Sequence, residues 1–429
     1  MTRVTLLCLL SLGALSACTN QATTPQGETA DDFRTGILIF GDSGNHPNYP
    51  DQDDFEDLFT KEQYLESEWQ EWLEDRRPPD EFKARPFMES PVTGGVVPAS
   101  GMQDVAKAMS DYCNHTAVCD FGILVGDNIY PSGATLGADG VDDAQRFRDM
   151  LEIPFGNMVR SPTSYKTYVT LGNHDWETSR AGGFAQIEYL EQEPGFYMDG
   201  PYYSVRPAGT NGDVELFIID TSMLLASVPV REDTLNEDGS EGSLGNIEVP
   251  DYHVQPLTGA EKSQPQWLEE ALKKSTARWK FVVAHHPIWS SSGSKFEQAR
   301  VLRELLLPAM CRYADAYIVG HEHTLEIHTD SCAETLGSPT QKPLVEILSG
   351  AASKQRPLNT NFMRHQNEKY PEHKSVFAQG MVWGFSYLAL EGDKAQLTMM
   401  SVPDEGGSDI TNVFEYEFSR RSGDNNLKP

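Results

Sequence analysis

Seven short apolar runs, five of them ending in a polar cluster, constrain this chain more than any other feature. The runs are TGILIF (35–40), FGILV (121–125), KTYVTL (166–171), VELFIID (214–220), KFVVAH (280–285), DAYIVG (315–320) and LVEILSG (344–350). Between them lie MQDVAKAMSDY, DDAQRFRDMLEIP, KSQPQWLEEALKKST and FEQARVLRELLLPAMCRY, with apolar residues at helical spacing. That alternation predicts a layered α/β (α+β) domain. Near the end, GFSYLALEGDKAQLTMMSV alternates apolar residues on both sides of Gly392-Asp393 and predicts a hairpin. The polar clusters are GDSGN, GDNIY, GNHDW, AHHPIW and GHEHT, each at the end of a predicted strand. Ligands of open α/β folds sit outside the carboxyl ends of strands, so five clusters far apart in sequence should meet at one place.

By residue type the meeting point offers Asp42, Asp127, Asn173, His285, His321 and His323, with His174 and Tyr130 beside them. This oxygen and imidazole set without thiolates suits iron, manganese or zinc. It has too many histidines for calcium, and too many ligands for one ion that keeps an open position. Two metals sharing one carboxylate fit the count. The histidines of GHEH lie two apart, so in extended backbone they project to the same side. Several other residues read as structural. Asp175 is expected to orient a ligand rather than bind metal, and His46 to line the cleft or, as the simpler reading, to be an exposed loop histidine. His115, His253, His328, His365 and His373 lack supporting neighbours, and Tyr130 alone reads equally as a packing aromatic.

Taken together and in order, the clusters resemble the blocks of the calcineurin-like metallophosphoesterase superfamily: D-x-G, G-D-x-x, G-N-H-[DE], a histidine block and G-H-x-H. The resemblance runs from about Gly36 to Ser353, with a long insertion between the first two blocks. GDNIY is similar to the G-D-x-x-Y block of purple acid phosphatases. VVAHHPIWS, LLPAMCRYADAYIVGHEHTLE and EILSGAAS are similar to their small, tartrate-resistant-type members. The resemblance implies a two-sheet β-sandwich flanked by helices, with two metals at the carboxyl-end loops. It implies a ferric ion held by Asp42, Tyr130 and His323, with Asp127 bridging to a second site. Asn173, His285 and His321 would complete that site around divalent iron, zinc or manganese. His174 would bind the substrate phosphate, with Asn173 beside it, or protonate the leaving alcohol. His286 stands where mammalian-type relatives usually carry tyrosine, and reads either as a substrate contact or as structural.

The activity implied is hydrolysis of phosphomonoesters by a metal-bound hydroxide, of the acid phosphatase type. Alternatives are a phosphodiesterase or nucleotidase of the same superfamily, and a non-catalytic surface binding protein. The last should have lost at least one ligand, and none is missing. Tyr130 narrows the reading further, because a phenolate is a hard anionic donor that favours a trivalent ion.

The N-terminus has its own logic. MTR and the apolar VTLLCLLSLGALSA, too short to span a bilayer, lead into Leu15-Ser16-Ala17-Cys18. This resembles a bacterial lipobox, which implies removal of residues 1–17 and a lipid on Cys18 as the membrane contact. Thr19 following the cysteine resembles an outer-membrane address in Gram-negative lipoproteins, so the expectation is an exported protein anchored to the bacterial envelope. Residues 18–34 read as a polar tether, 35–403 as the catalytic domain with an acidic insertion at about 46–100, and 404–429 as an extension with room for a last strand. Export makes Cys113, Cys119, Cys311 and Cys332 candidate disulfide partners, and local pairing is the simplest of three connectivities. A net charge of -30 excludes nucleic acid as a partner, since phosphate backbones are repelled. Nothing in the sequence speaks to oligomeric state.

Overall fold

The computed structural model describes residues 33–49, 59–243 and 245–421. The signal segment, Cys18, nearly all of the expected tether and residues 50–58 of the acidic insertion lie outside the described residues.

Eighteen strands follow in chain order: β1 (Arg34–Phe40), β2 (Phe87–Glu89), β3 (Val96–Pro98), β4 (Phe121–Val125), β5 (Thr167–Thr170), β6 (Phe196–Tyr197), β7 (Tyr203–Val205), β8 (Val214–Ile218), β9 (Val230–Arg231), β10 (Ile247–Glu248), β11 (Trp279–Val283), β12 (Ala316–Val319), β13 (Leu325–Asp330), β14 (Leu344–Ser349), β15 (His373–Gln379), β16 (Trp383–Glu391), β17 (Lys394–Val402) and β18 (Thr411–Ser419). Two seven-stranded sheets hold fourteen of them, in the orders β18-β17-β16-β1-β4-β5-β6 and β15-β13-β14-β12-β11-β8-β7. In the first sheet β1, β4, β5 and β6 run parallel, and β16 to β18 form an antiparallel meander against β1. In the second, β8, β11, β12 and β14 run parallel. The remaining strands pair as two small ribbons, β2 with β3 and β9 with β10.

All seven apolar runs form strands of these sheets, to within two residues at their ends. They are continuous rather than alternating because both faces are covered. Along β11 the sides are easily told apart. Phe281 and Val283 face the core between the two sheets, while Val282 and Ala284 join the cluster beneath the outer helices. Those helices are Gln264–Lys274 and Phe296–Tyr313. Met102–His115 contributes Met102, Val105 and Met109 to the core that includes the first sheet. The architecture is an αββα sandwich.

Local chemistry fixes several details. The helix Lys61–Glu74 of the insertion begins with a reciprocal cap, in which Thr60 Oγ1 accepts from Gln63 N–H and Gln63 Oε1 accepts from Thr60 N–H at 2.8 Å. Its buried residues Tyr64, Glu68 and Trp72 recur every four positions, so one face of this acidic helix packs. Cys113–Cys119 and Cys311–Cys332 are disulfides. Past β18, Arg421 is buried and caps the end of Phe296–Tyr313 by donating to the carbonyls of Met310, Cys311 and Ala314.

Candidate metal centre

The parallel strands of both sheets deliver their polar ends to one rim. Asp42 follows β1, Asp127 follows β4 and Asn173 follows β5. His285 follows β11, and His321 and His323 follow β12. The backbone there is held in an unusual state: Asp42, Asp127, His321 and His323 have φ of 55°, 50°, 75° and 29°. Non-glycine residues adopt this region when surrounding structure over-determines them, and such residues cluster at functional sites. Cross-links between the loops do this here. Asp42 N–H donates to Gly126 O at 2.9 Å, and His321 N–H donates to Asp42 Oδ2 at 2.9 Å. Glycine is required where the loops touch, since a Cβ on Gly172 would stand 2.2 Å from Asp127 Oδ1.

Two knots of donor atoms result. In the first, Tyr130 Oη lies 2.8 Å from Asp127 Oδ2, 3.2 Å from Asp42 Oδ1 and 3.0 Å from His323 Nε2. One phenolic proton cannot serve three acceptors. In the second, Asn173 Oδ1, His285 Nε2 and His321 Nδ1 are mutually 3.1 Å apart. His285 Nδ1 donates to Val125 O at 2.9 Å, so Nε2 is the nitrogen turned toward the other donor atoms. The other oxygen of the Asp127 carboxylate, Oδ1, lies 3.3 Å from His285 Nε2, so this one carboxylate reaches both knots. Adjacent ligands on an ion with bonds of about 2.1 Å stand roughly 3 Å apart. The spacing and the excess of acceptors fit a pair of cations.

The electrostatics make the same point. Burial pushes the Asp42 carboxyl up to about 8, against the pull of His285 and with added repulsion from Asp127. Tyr130 is raised well above its ordinary value by burial and then by Asp127 and Asp42. Burial also works against an ionised Asp127, but His285 and His174 outweigh it and hold its pKa down. His321 and His323 are lowered by burial and by neighbouring positive groups, which keeps their imidazoles neutral. Burial and mutual repulsion thus oppose ionisation of Asp42 and Tyr130, a cost that bound cations would offset.

Behind the knots, Asp175 does what its position beside Asn173 suggests. Its carboxylate accepts from the N–H groups of Gly172 (2.8 Å), Asn128 (3.0 Å) and Ile129 (3.1 Å), and from Asn128 Nδ2 (3.1 Å). It thereby ties the second loop to the third. His174 stands at the mouth with its side chain 28 % exposed, and Nδ1 lies 2.8 Å from Glu177 Oε2 and against Pro131 O. Its pKa is raised: burial opposes this, but Asp127 and Glu177 prevail.

His286 departs from the substrate-contact reading. It is buried, its Nδ1 meets Thr221 Oγ1 at 2.8 Å, and Nε2 faces Asp251 Oδ2 at 3.8 Å. Both nitrogens are directed at protein, and the ring backs His321 at 4.4 Å between centroids. His46 takes the cleft-lining alternative, being half-buried and lining the cleft beside the site. The remaining histidines are not among the donor atoms. His328 and His373 form a separate buried pair, 2.9 Å apart, with Glu326.

Three supporting residues were not foreseen. Glu322, between the two histidines of GHEH, is buried and paired with Arg356 at 2.6 Å. Lys354 places Nζ 4.2 Å over the Tyr130 ring. The only sequence signals were an acid wedged between two candidate ligands and the basic K-x-R after EILSGAAS.

The chain is similar in sequence and fold to known proteins. The chain is 26% identical to Purple acid phosphatase 4 of Arabidopsis thaliana over 306 residues, covering 70% of this chain and 76% of that protein. It is 29% identical to Purple acid phosphatase 17 of the same plant over 238 residues, covering 55% and 59%. Among solved structures, GAP50, described as the anchor in the inner membrane complex of Plasmodium, superposes with a TM-score of 0.53 at 14% identity over 91% of this chain and 90% of that one. PhoD does so with 0.50 at 11% identity over 91% and 70%, and both likenesses concern the fold. The calcineurin-like phosphoesterase family matches residues 37–325, more than half of the chain and a span that contains Asp42, Asp127, Asn173, His285, His321 and His323. This protein is therefore a member of the calcineurin-like phosphoesterase family.

Proposed function

We propose that the protein is a two-metal phosphomonoesterase of the purple acid phosphatase type, exported and tethered to a bacterial envelope through Cys18. The observation that carries this reading is the Tyr130 oxygen, packed within 3.2 Å of two carboxylates and an imidazole nitrogen. A phenol so placed is a ligand waiting to lose its proton to a strongly charged cation. In this reading Asp42, Tyr130 and His323 hold ferric iron, and Asp127 is shared. Asn173, His285 and His321 hold divalent iron, zinc or manganese.

Bound cations would supply neutralisation of the phosphoryl oxygens and a more acidic water. The chain supplies position and proton transfer. Asp175 fixes the Asn173 loop, and Asp127 fixes the spacing of the two knots. His174, turned by Glu177 and the Pro131 carbonyl so that Nδ1 is occupied, presents Nε2 at the mouth. It donates the proton to the departing alcohol oxygen.

The test is metal analysis and visible absorption of the purified protein, with activity on phosphomonoesters and diesters across pH. The expected result is iron, a tyrosinate-to-iron band and a preference for monoesters in acid. An Asp127→Asn variant should lose at least about a thousandfold in kcat, since the shared carboxylate serves both ions. Full activity in that variant, or a colourless protein without iron, would sink the reading.

A further inference from the structure

The insertion between the first two loops does more than decorate the surface. Its ribbon pairs Met88 opposite Val97, and this shared face lines a cavity of ≈180 Å³ that also touches Tyr130 and His174. Pro86, Pro98, Tyr49, Arg85 and His46 also line it from the insertion side. From this juxtaposition we infer that the insertion builds a leaving-group pocket, which selects phosphomonoesters of single-ring alcohols. The inference rests on the phosphomonoesterase reading and names its substrate class.

Three observations carry it. The pocket is continuous with the site, because Tyr130 and His174 form part of its wall. An ester with its phosphate at the metal knots and its leaving oxygen at His174 must send its organic part this way. The wall is also rigid. Gly101 N–H donates to Ser353 O at 3.1 Å, Asn359 Nδ2 to Asp75 O at 2.7 Å and Thr360 Oγ1 to Glu81 Oε2 at 2.9 Å. A wall tied at several points to the catalytic body can discriminate shape.

The third observation concerns charge and size. Arg85 is the cation that the insertion adds to this cavity, and carboxylates already occupy it. Its N–H and Nε bond Glu68 at 2.8 Å, and its guanidinium meets Glu71 at 2.7 Å. Neutralised in this way, it is not a hook for a second anionic group, and Met88, Val97 and the prolines give the insertion wall an apolar contact, while Lys354 of the catalytic body lines the cavity with Nζ over the Tyr130 ring. A cavity of about 150 Å³ in another protein admits benzene, so ≈180 Å³ takes one six-membered ring. A purine with its ribose exceeds it.

The test uses the full, metal-loaded chain. Calorimetry compares phenylphosphonate with methylphosphonate, and kinetics compare phenyl phosphate, glycerol 2-phosphate and adenosine 5′-phosphate. Val97→Trp fills the pocket and Met88→Ala opens it. The expected result is phenylphosphonate binding about tenfold tighter than methylphosphonate, from burial of one ring. Val97→Trp should abolish that preference and lower the phenyl-to-glycerol ratio of kcat/KM to a similar extent. Met88→Ala should raise the adenosine-to-phenyl ratio. Equal affinity for the two phosphonates, or a preference that survives Val97→Trp, overturns the pocket while leaving the phosphomonoesterase reading intact. A protein that binds neither phosphonate and turns over no ester overturns both.

Discussion

Replacing Asp175 by asparagine probes the construction of the centre without touching a proposed ligand. Oδ1 accepts two backbone N–H groups, of Asn128 and Ile129, and Oδ2 accepts Gly172 N–H and Asn128 Nδ2. An asparagine keeps only one of these acceptors. With nitrogen in place of Oδ2, Gly172 N–H and Asn128 Nδ2 lose their acceptor; with nitrogen in place of Oδ1, Ile129 N–H loses its acceptor while Asn128 N–H keeps Oδ2 at 3.2 Å. Each buried donor so abandoned costs about 1–3 kcal/mol, for a gross loss of about 1–6 kcal/mol over one or two donors. Removing a buried charge beside Asp127 offsets part of this, and the net expectation is about 2–4 kcal/mol. In a domain of this length that lowers Tm by about 3–5 °C, since the unfolding entropy scales with chain length. The second and third loops also lose their common anchor, so metal affinity should fall about 10–100-fold. The assays are thermal unfolding of the metal-free protein and competition for metal against a chelator of known affinity. An unchanged Tm together with unchanged metal affinity would refute the reasoning, because both follow from the same four hydrogen bonds.

Other consequences can be checked as directly. Tyr130→Phe removes the phenolate and should abolish visible absorption in iron-loaded protein; a band that survives means another group supplies it. Arg421→Ala strips donors from the carbonyls of Met310, Cys311, Ala314 and Lys342 and opens a void. It should cost about 3–5 kcal/mol in denaturant unfolding, and a loss below about 1 kcal/mol would show that the helix end does not need its cap. His373 has its pKa pushed down to about 2 by burial, with His328 and Arg303 adding to the effect. The unfolded chain takes up this proton near pH 6.5 and the folded chain does not, so stability falls as pH drops below about 6.5. The contribution is about 1.4 kcal/mol per pH unit, continuing toward pH 2, and none is lost above pH 7. His373→Gln should flatten that slope by one proton between pH 6 and 4, and identical slopes would mean the histidine is protonated in the fold.

The apolar runs determined the strands locally, because a strand covered on both faces must be apolar throughout and needs no distant information to be recognised. The polar residues at the run ends likewise named the side chains that the fold gathers at one rim, since each cluster begins with glycine or alanine at the end of a strand. Sequence could not say what stands behind those residues. Glu322 with Arg356, and His286 between Thr221 and Asp251, become neighbours only when two sheets and their loops close over them. The facing of Met88 and Val97 toward Tyr130 and His174 is of the same kind, as a three-residue ribbon carries no local sign of the wall it will form. Four cysteines allowed three pairings on paper. The fold chose by bringing the Cα atoms of Cys113 and Cys119 to 5.4 Å and those of Cys311 and Cys332 to 5.8 Å. Periodicity and donor chemistry are properties of short segments and can be read from them. Partnership between distant side chains is a property of packing, and only the tertiary structure decided it.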